Sequence, residues 1–112
     1  MKTITLSVTS RTEVQRRALA AFGGKAQGAH LSFDSPELLW KTLTAKRWEL
    51  LQAMAGNGPL SIREVARRVE RDVKAVHSDV HALLDAGVLN KTEKGVEFPY
   101  DAVHVDFLLK AA

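Results

Sequence analysis

Between Pro59 and Phe98 the hydrophobic period of the chain changes from helical to strand-like within forty residues, and few folds accommodate the order in which it does so. The stretch PLSIREVARRV contains Ser61, whose hydroxyl is placed to cap the free amides of a helix, and Glu64 follows at the spacing of a capping box. Ile62, Val65, Ala66 and Val69 then fall at i, i+3, i+4 and i+7, which makes one narrow apolar stripe. After a break at Glu70 to Asp72, a second helical stretch carries Val73, Val76, Val80, Leu83 and Leu84 on one side. Gly87 supplies its stop, because glycine takes the left-handed conformation there without a steric penalty. Val88 and Leu89 start a strand, Thr92 to Gly95 form a hairpin tip, and Val96 and Phe98 return.

Two helices separated by so short a turn cross steeply, and a hairpin after them completes the outline of a winged helix-turn-helix. Thr44 opens the helix ahead of this pair, with Trp48, Leu51, Gln52 and Ala55 near one face and Leu50 and Met54 beside it; Gly56-Asn57-Gly58-Pro59 ends it. The expected fold class is therefore α+β. A winged helix-turn-helix occupies residues 44–101, a strand-helix-strand-helix appendage residues 1–43, and a C-terminal strand residues 102–112. In the appendage, Ile4, Leu6 and Val8 alternate with Thr3, Thr5 and Ser7. Ser10 and Glu13 repeat the capping-box spacing and predict a helix from about Arg11 to Phe22, followed by a glycine-rich loop from Gly23 to Gly28. A second strand spans His30 to Phe33, and Ser35 caps a helix with Pro36 at its first position and Glu37 to Leu43 after it. Near the C-terminus Val103, Val105 and Phe107 alternate with His104 and Asp106, a strand expected to pair with the hairpin or with an N-terminal strand of a partner chain. Trp40 and Trp48 sit at helical spacing from Leu39, Leu43 and Leu51, which predicts core packing rather than a ligand pocket.

Composition narrows the function classes. With 112 residues, 46% of them hydrophobic, the chain buries one core and a small appendage at most. The absence of cysteine removes disulfide scaffolds, thiolate nucleophiles and cysteine zinc sites. Apolar runs are only a few residues long, and Met1 to Ser10 alternates where a signal peptide needs a continuous apolar stretch, so the expectation is a soluble cytoplasmic protein. Net charge is +3, unevenly spread. Residues 1–30 hold Lys2, Arg11, Arg16, Arg17 and Lys25 against Glu13 alone, while residues 61–112 hold eight basic and nine acidic side chains.

Leu83-Leu84-Asp85-Ala86-Gly87-Val88-Leu89, preceded by Val76 and Val80, resembles the end of the recognition helix and the start of the wing in the MarR and ArsR superfamily of winged-helix regulators. Three segments, SFDSPELLWKTLTAKRWELLQAM, SIREVARRVERDVKAVHSDVHALLDAGVL and VEFPYDAVHVDF, together resemble the HVO_A0114-type DNA-binding proteins, small prokaryotic regulators. The resemblance covers roughly residues 31–108. It implies DNA binding, and an antitoxin role in those members encoded beside a small toxin.

The residues can be sorted against that implication. With Val76, Val80, Leu83 and Leu84 inward, the opposite side of the second helix offers Lys74, His77, Ser78 and His81 as donors to guanine edges or phosphates. Ser61, Arg63, Arg67, Arg68 and Arg71 on or beside the first helix are candidates for backbone-phosphate contacts, as are Lys91 and Lys94 on the wing. Against this stand Asp79 and Asp72, although Asp72 is placed to cap the second helix. The arginines also read as a solvated face paired with Glu64 and Glu70, and Lys91 and Lys94 as a charged hairpin that keeps an edge soluble. His77 and His81, with Asp85 one turn on, have a metal-compatible spacing but no full ligand set, so no metal or cofactor is expected. Ser78 between His77 and Asp79 is no catalytic array, since adjacent helical residues diverge in direction, and no enzyme is expected. The expected function is a sequence-specific DNA-binding transcriptional regulator: a homodimer on an inverted repeat of double-stranded DNA, with a cognate toxin as a further protein partner, no membrane partner, and dimerisation through residues 1–33. The rival is a winged helix used only for protein interaction, in keeping with the balanced charge of residues 61–112.

Overall fold

A computed structural model describes residues 2–8 and 29–106. The predicted helix over 11–22, the loop over 23–28 and Phe107 lie outside the described residues. The described chain is α+β and runs β1 (Thr3–Val8), β2 (Ala29–Phe33), α1 (Pro36–Thr42), α2 (Ala45–Met54), α3 (Ile62–Val69), α4 (Val73–Asp85), β3 (Asn90–Thr92), β4 (Gly95–Glu97) and β5 (Ala102–Asp106).

Helix starts follow the caps. Ser35 Oγ accepts from Leu38 N at 3.1 Å, Thr44 Oγ1 from Arg47 N at 3.4 Å, Ser61 Oγ from Glu64 N at 3.1 Å, and Asp72 Oδ2 from Lys74 N and Ala75 N at 3.1 and 3.3 Å. Each satisfies a donor that the helix itself leaves unpaired. At the far end of α4, Gly87 stands at φ 84°, which lets Val88 N reach Leu83 O at 2.9 Å and Gly87 N reach Leu84 O at 3.1 Å. The same closing pattern ends α3, but there the left-handed position is Glu70, φ 54°, with Arg71 N bonded to Ala66 O at 3.1 Å.

The pairing of β5 corrects the expectation of a hairpin partner. It does not join the hairpin but lies parallel to the N-terminal strand β1 of its own chain, Ile4 opposite Val103 and Leu6 opposite Val105. β1 also pairs in parallel with β2, so the sheet order is β2-β1-β5 and the two ends of the sequence form one layer. Parallel neighbours require a long crossover, and the twenty residues between β1 and β2 supply its length. One face of this sheet carries Ile4, Leu6, Val8, Leu31, Phe33, Val103 and Val105, all of which join the same apolar cluster as the helices. Leu50, Leu51 and Met54 of α2, Val65 and Ala66 of α3, and Val76, Val80 and Leu83 of α4 are its buried centre.

Strands β3 and β4 form an antiparallel hairpin closed by Glu93 and Lys94, with Thr92 opposite Gly95. Val88 and Leu89, expected as the strand's start, are instead buried core residues ahead of it. Leu60 adds a third short edge to the hairpin, exchanging two 2.8 Å backbone bonds with Val96. Gly95 permits this contact, since a Cβ there would lie 2.3 Å from Leu60 O. The tryptophans divide: Trp48 is half-buried and packs against the core, as expected, whereas Trp40 is 50% exposed.

Candidate nucleic-acid interface

The outer side of α4 is set by what its inner side buries. With Val76, Val80 and Leu83 in the core, Lys74, His77, Ser78 and His81 all stand exposed, at i, i+3, i+4 and i+7, as one continuous stripe. The rings of His77 and His81 lie 4.2 Å apart between centroids, tilted by 42°. Lys74 forms no ion pair among the described residues, and its backbone amide is already used by Asp72. Asp72 is thus a cap, and its negative charge at the helix N-terminus complements the helix dipole.

The arginines are far less available than their number suggests. Arg67 and Arg68 both bond the Glu64 carboxylate, Arg67 through Nε at 2.9 Å and a second short contact, Arg68 through Nε at 3.0 Å. These bonds, Arg67's first, hold the Glu64 carboxyl down to about 2 and raise Arg67 above its usual value. The Glu64 side chain therefore does not turn back to close a capping box on Ser61, as its spacing predicts; the arginines one turn on outcompete that neutral amide. Arg67 remains 71% exposed and Arg63 is exposed and unpaired among the described residues, so α3 still presents positive charge.

Arg71 belongs inside the protein. Its Nη2 lies 2.8 Å from Asp79 Oδ2, and Arg47 Nε of α2 lies 3.1 Å from Asp79 Oδ1. The three side chains are only 16 to 19% exposed. Burial pushes the Asp79 carboxyl up, but hydrogen bonds from Arg71 and then Arg47 outweigh it and hold the group below the usual carboxylate range. Arg47 also donates through Nη1 to Thr42 O at 2.9 Å, at the C-terminal end of α1. One carboxylate on α4 thus ties that helix to α2, to the end of α1 and to the α3–α4 turn. The sequence reading names neither Arg47 nor this role for Asp79. The available signal was position, because Asp79 follows Val76 by three and precedes Leu83 by four, at the rim of the buried stripe.

Ser61 stands at the start of α3 with its hydroxyl engaged in the cap. Lys91 and Lys94 are exposed on the hairpin, where Thr92 Oγ1 accepts from Lys94 N at 3.1 Å. Among the described residues no three histidine, aspartate or glutamate side chains gather as a metal site, and no helix is long and apolar enough to cross a membrane.

These features define a small α+β protein in which a helix with an exposed polar stripe is locked from behind by an ion-pair buckle and followed by a short hairpin. The chain belongs to the HVO_A0114 family, whose family model matches residues 42–105, from the end of α1 into β5. No curated protein matches the chain, and no solved structure does.

Proposed function

We propose that the protein is a sequence-specific, DNA-binding transcriptional regulator, a winged helix-turn-helix in which α4 is the recognition helix and the β3–β4 hairpin the wing. The observation that carries this reading is the stripe Lys74, His77, Ser78 and His81: donor-bearing, exposed, and lying on the helix after a three-residue turn. Such groups serve guanine acceptors and phosphates, while Arg63, Arg67, Lys91 and Lys94 flank them as backbone contacts. A single unit of this size contacts too few base pairs for selectivity in a genome, so the working form is a homodimer on an inverted repeat. Autoregulation as the antitoxin of a toxin pair fits the same architecture.

The fixed position of α4 supports the reading as well. Base readout needs a rigid helix, and the Arg47–Asp79–Arg71 buckle holds this one without spending any residue of the outer stripe. A second reading, a protein-interaction module that binds no DNA, is favoured by the internal pairing of Arg67, Arg68 and Arg71. Fluorescence anisotropy on DNA from upstream of the protein's own gene, titrated with salt, separates the two. The DNA reading predicts binding whose logarithmic salt slope loses roughly one unit when Lys74 is replaced by alanine. Binding that is undetectable at low salt, or indifferent to that substitution, favours the interaction module.

A further inference from the structure

β1 is hydrogen-bonded on both sides, to β2 and to β5, and so has no edge to offer a second chain. The strands left open are β2 and β5, and they are not equivalent. α1 packs against β2, and Phe33 of that strand is buried; among the described residues β5 has no comparably close neighbour except β1, and none of its residues is buried. On the β5 side no described residue closes the layer between sheet and helices. A groove of about 480 Å³ there is lined by apolar Trp48, Leu51, Ala55, Phe98, Ala102 and Val103 together with polar Gln52 and Asp101, so half-exposed Val103 borders both the groove and the strand edge. The strand is Ala-Val-His-Val-Asp, with no proline, lysine or bulge to discourage pairing.

We propose that β5 is the homodimer interface, with a second copy of the chain pairing antiparallel to it about a two-fold axis at His104. This register is self-complementary. It sets Val103 against the partner's Val105, Ala102 against the partner's Asp106 and His104 against the partner's His104, with no acidic pair directly opposed. The half-exposed valines of both copies then close the apolar layer beside the groove, and two three-stranded sheets become one of six, an ordinary size. Antiparallel pairing across a two-fold keeps the same face of both sheets on one side. Both sets of helices, and hence both α4 helices, lie on that side, related as the halves of an inverted repeat are. The interface deepens the DNA-binding reading and relies on it for its purpose, yet it is measured without DNA, so either can fail alone.

The chain has no cysteine, which makes a cross-link unambiguous. Directly opposed residues in an antiparallel pair have Cα atoms about 4.5–5.5 Å apart, within disulfide reach. His104→Cys in the full chain is expected to form a disulfide-linked dimer almost completely on mild oxidation, while Lys91→Cys on the hairpin stays monomeric on a non-reducing gel. In sedimentation velocity, His104→Lys and His104→Asp alone should each weaken self-association about tenfold or more, and their mixture should restore it. That restoration also shows both variants to be folded. The proposal is overturned if the unaltered chain is monomeric at about 100 μM, well above the micromolar weak end of ordinary interfaces, if the two cysteine variants cross-link equally, or if His104→Lys dimerises unimpaired.

Discussion

The two helices on either side of the Glu70–Asp72 turn handle charge in opposite ways. On α3 the acid and the bases share one surface: Glu64 holds Arg67 and Arg68 in the open, where solvent makes each pair weak. On α4 the acid faces inward, where Asp79 meets two arginines from other elements, and the outward side is left to Lys74, His77, Ser78 and His81. A similar tally of charges therefore does two jobs. The α3 pairs adjust how much positive charge the surface shows, and the α4 buckle fixes where a helix lies. Count alone does not distinguish them; burial does.

The sharpest way to break this contrast is Asp79→Ala. It leaves Arg47 and Arg71 largely buried without their counter-ion, and the loss expected in urea unfolding is ~3 kcal/mol; a change below about 1 kcal/mol would place the buckle in the same class as surface pairs. Acid titration probes the same group without mutation. Because the folded carboxyl of Asp79 lies below its ordinary 3.8, its stabilisation is complete above that value and is lost as pH falls through the lower folded one. Unfolding free energy should thus decline as pH drops below about 4, and Asp79→Asn should flatten part of that decline.

Gly95→Val comes next. Its Cβ meets Leu60 O, at a φ of 140° that side chains avoid, so the hairpin must separate from Leu60 at a cost of roughly 2 kcal/mol. Hydrogen exchange at the Leu60 and Val96 amides should report the separation before global unfolding does. Ser61→Ala, which removes the cap of α3, should cost about 1 kcal/mol by the same unfolding assay. Smallest and opposite in sign is Glu70→Gly, which relieves a left-handed residue and should raise the thermal midpoint, with a gain of about 0.5–1 kcal/mol.

Local structure was legible because caps act locally. Ser35, Thr44, Ser61, Asp72 and Gly87 each mark a helix end through bonds within a few residues of themselves, and the spacing of Val76, Val80 and Leu83 identified the inner side of α4. What escaped was decided at a distance. The parallel pairing of β5 with β1 joins residues about a hundred positions apart, and alternation in Val103 and Val105 states that a strand exists without naming its neighbour. Arg71 looked like its neighbours at 67 and 68 and differs only because the fold brings Asp79 and Arg47 to it. Glu64 had the right spacing for a capping box and was taken by stronger, charged partners.

The most direct test of the contrast is the ratio of affinities for operator and scrambled DNA at fixed salt, measured for the unaltered chain, for Ser78→Ala with His81→Ala on α4, and for Arg67→Ala on α3. The contrast between the helices predicts that the α4 substitutions lower the ratio by about tenfold or more, while Arg67→Ala weakens both affinities alike and leaves the ratio unchanged. A ratio that survives the α4 substitutions, or collapses only with Arg67→Ala, would contradict it.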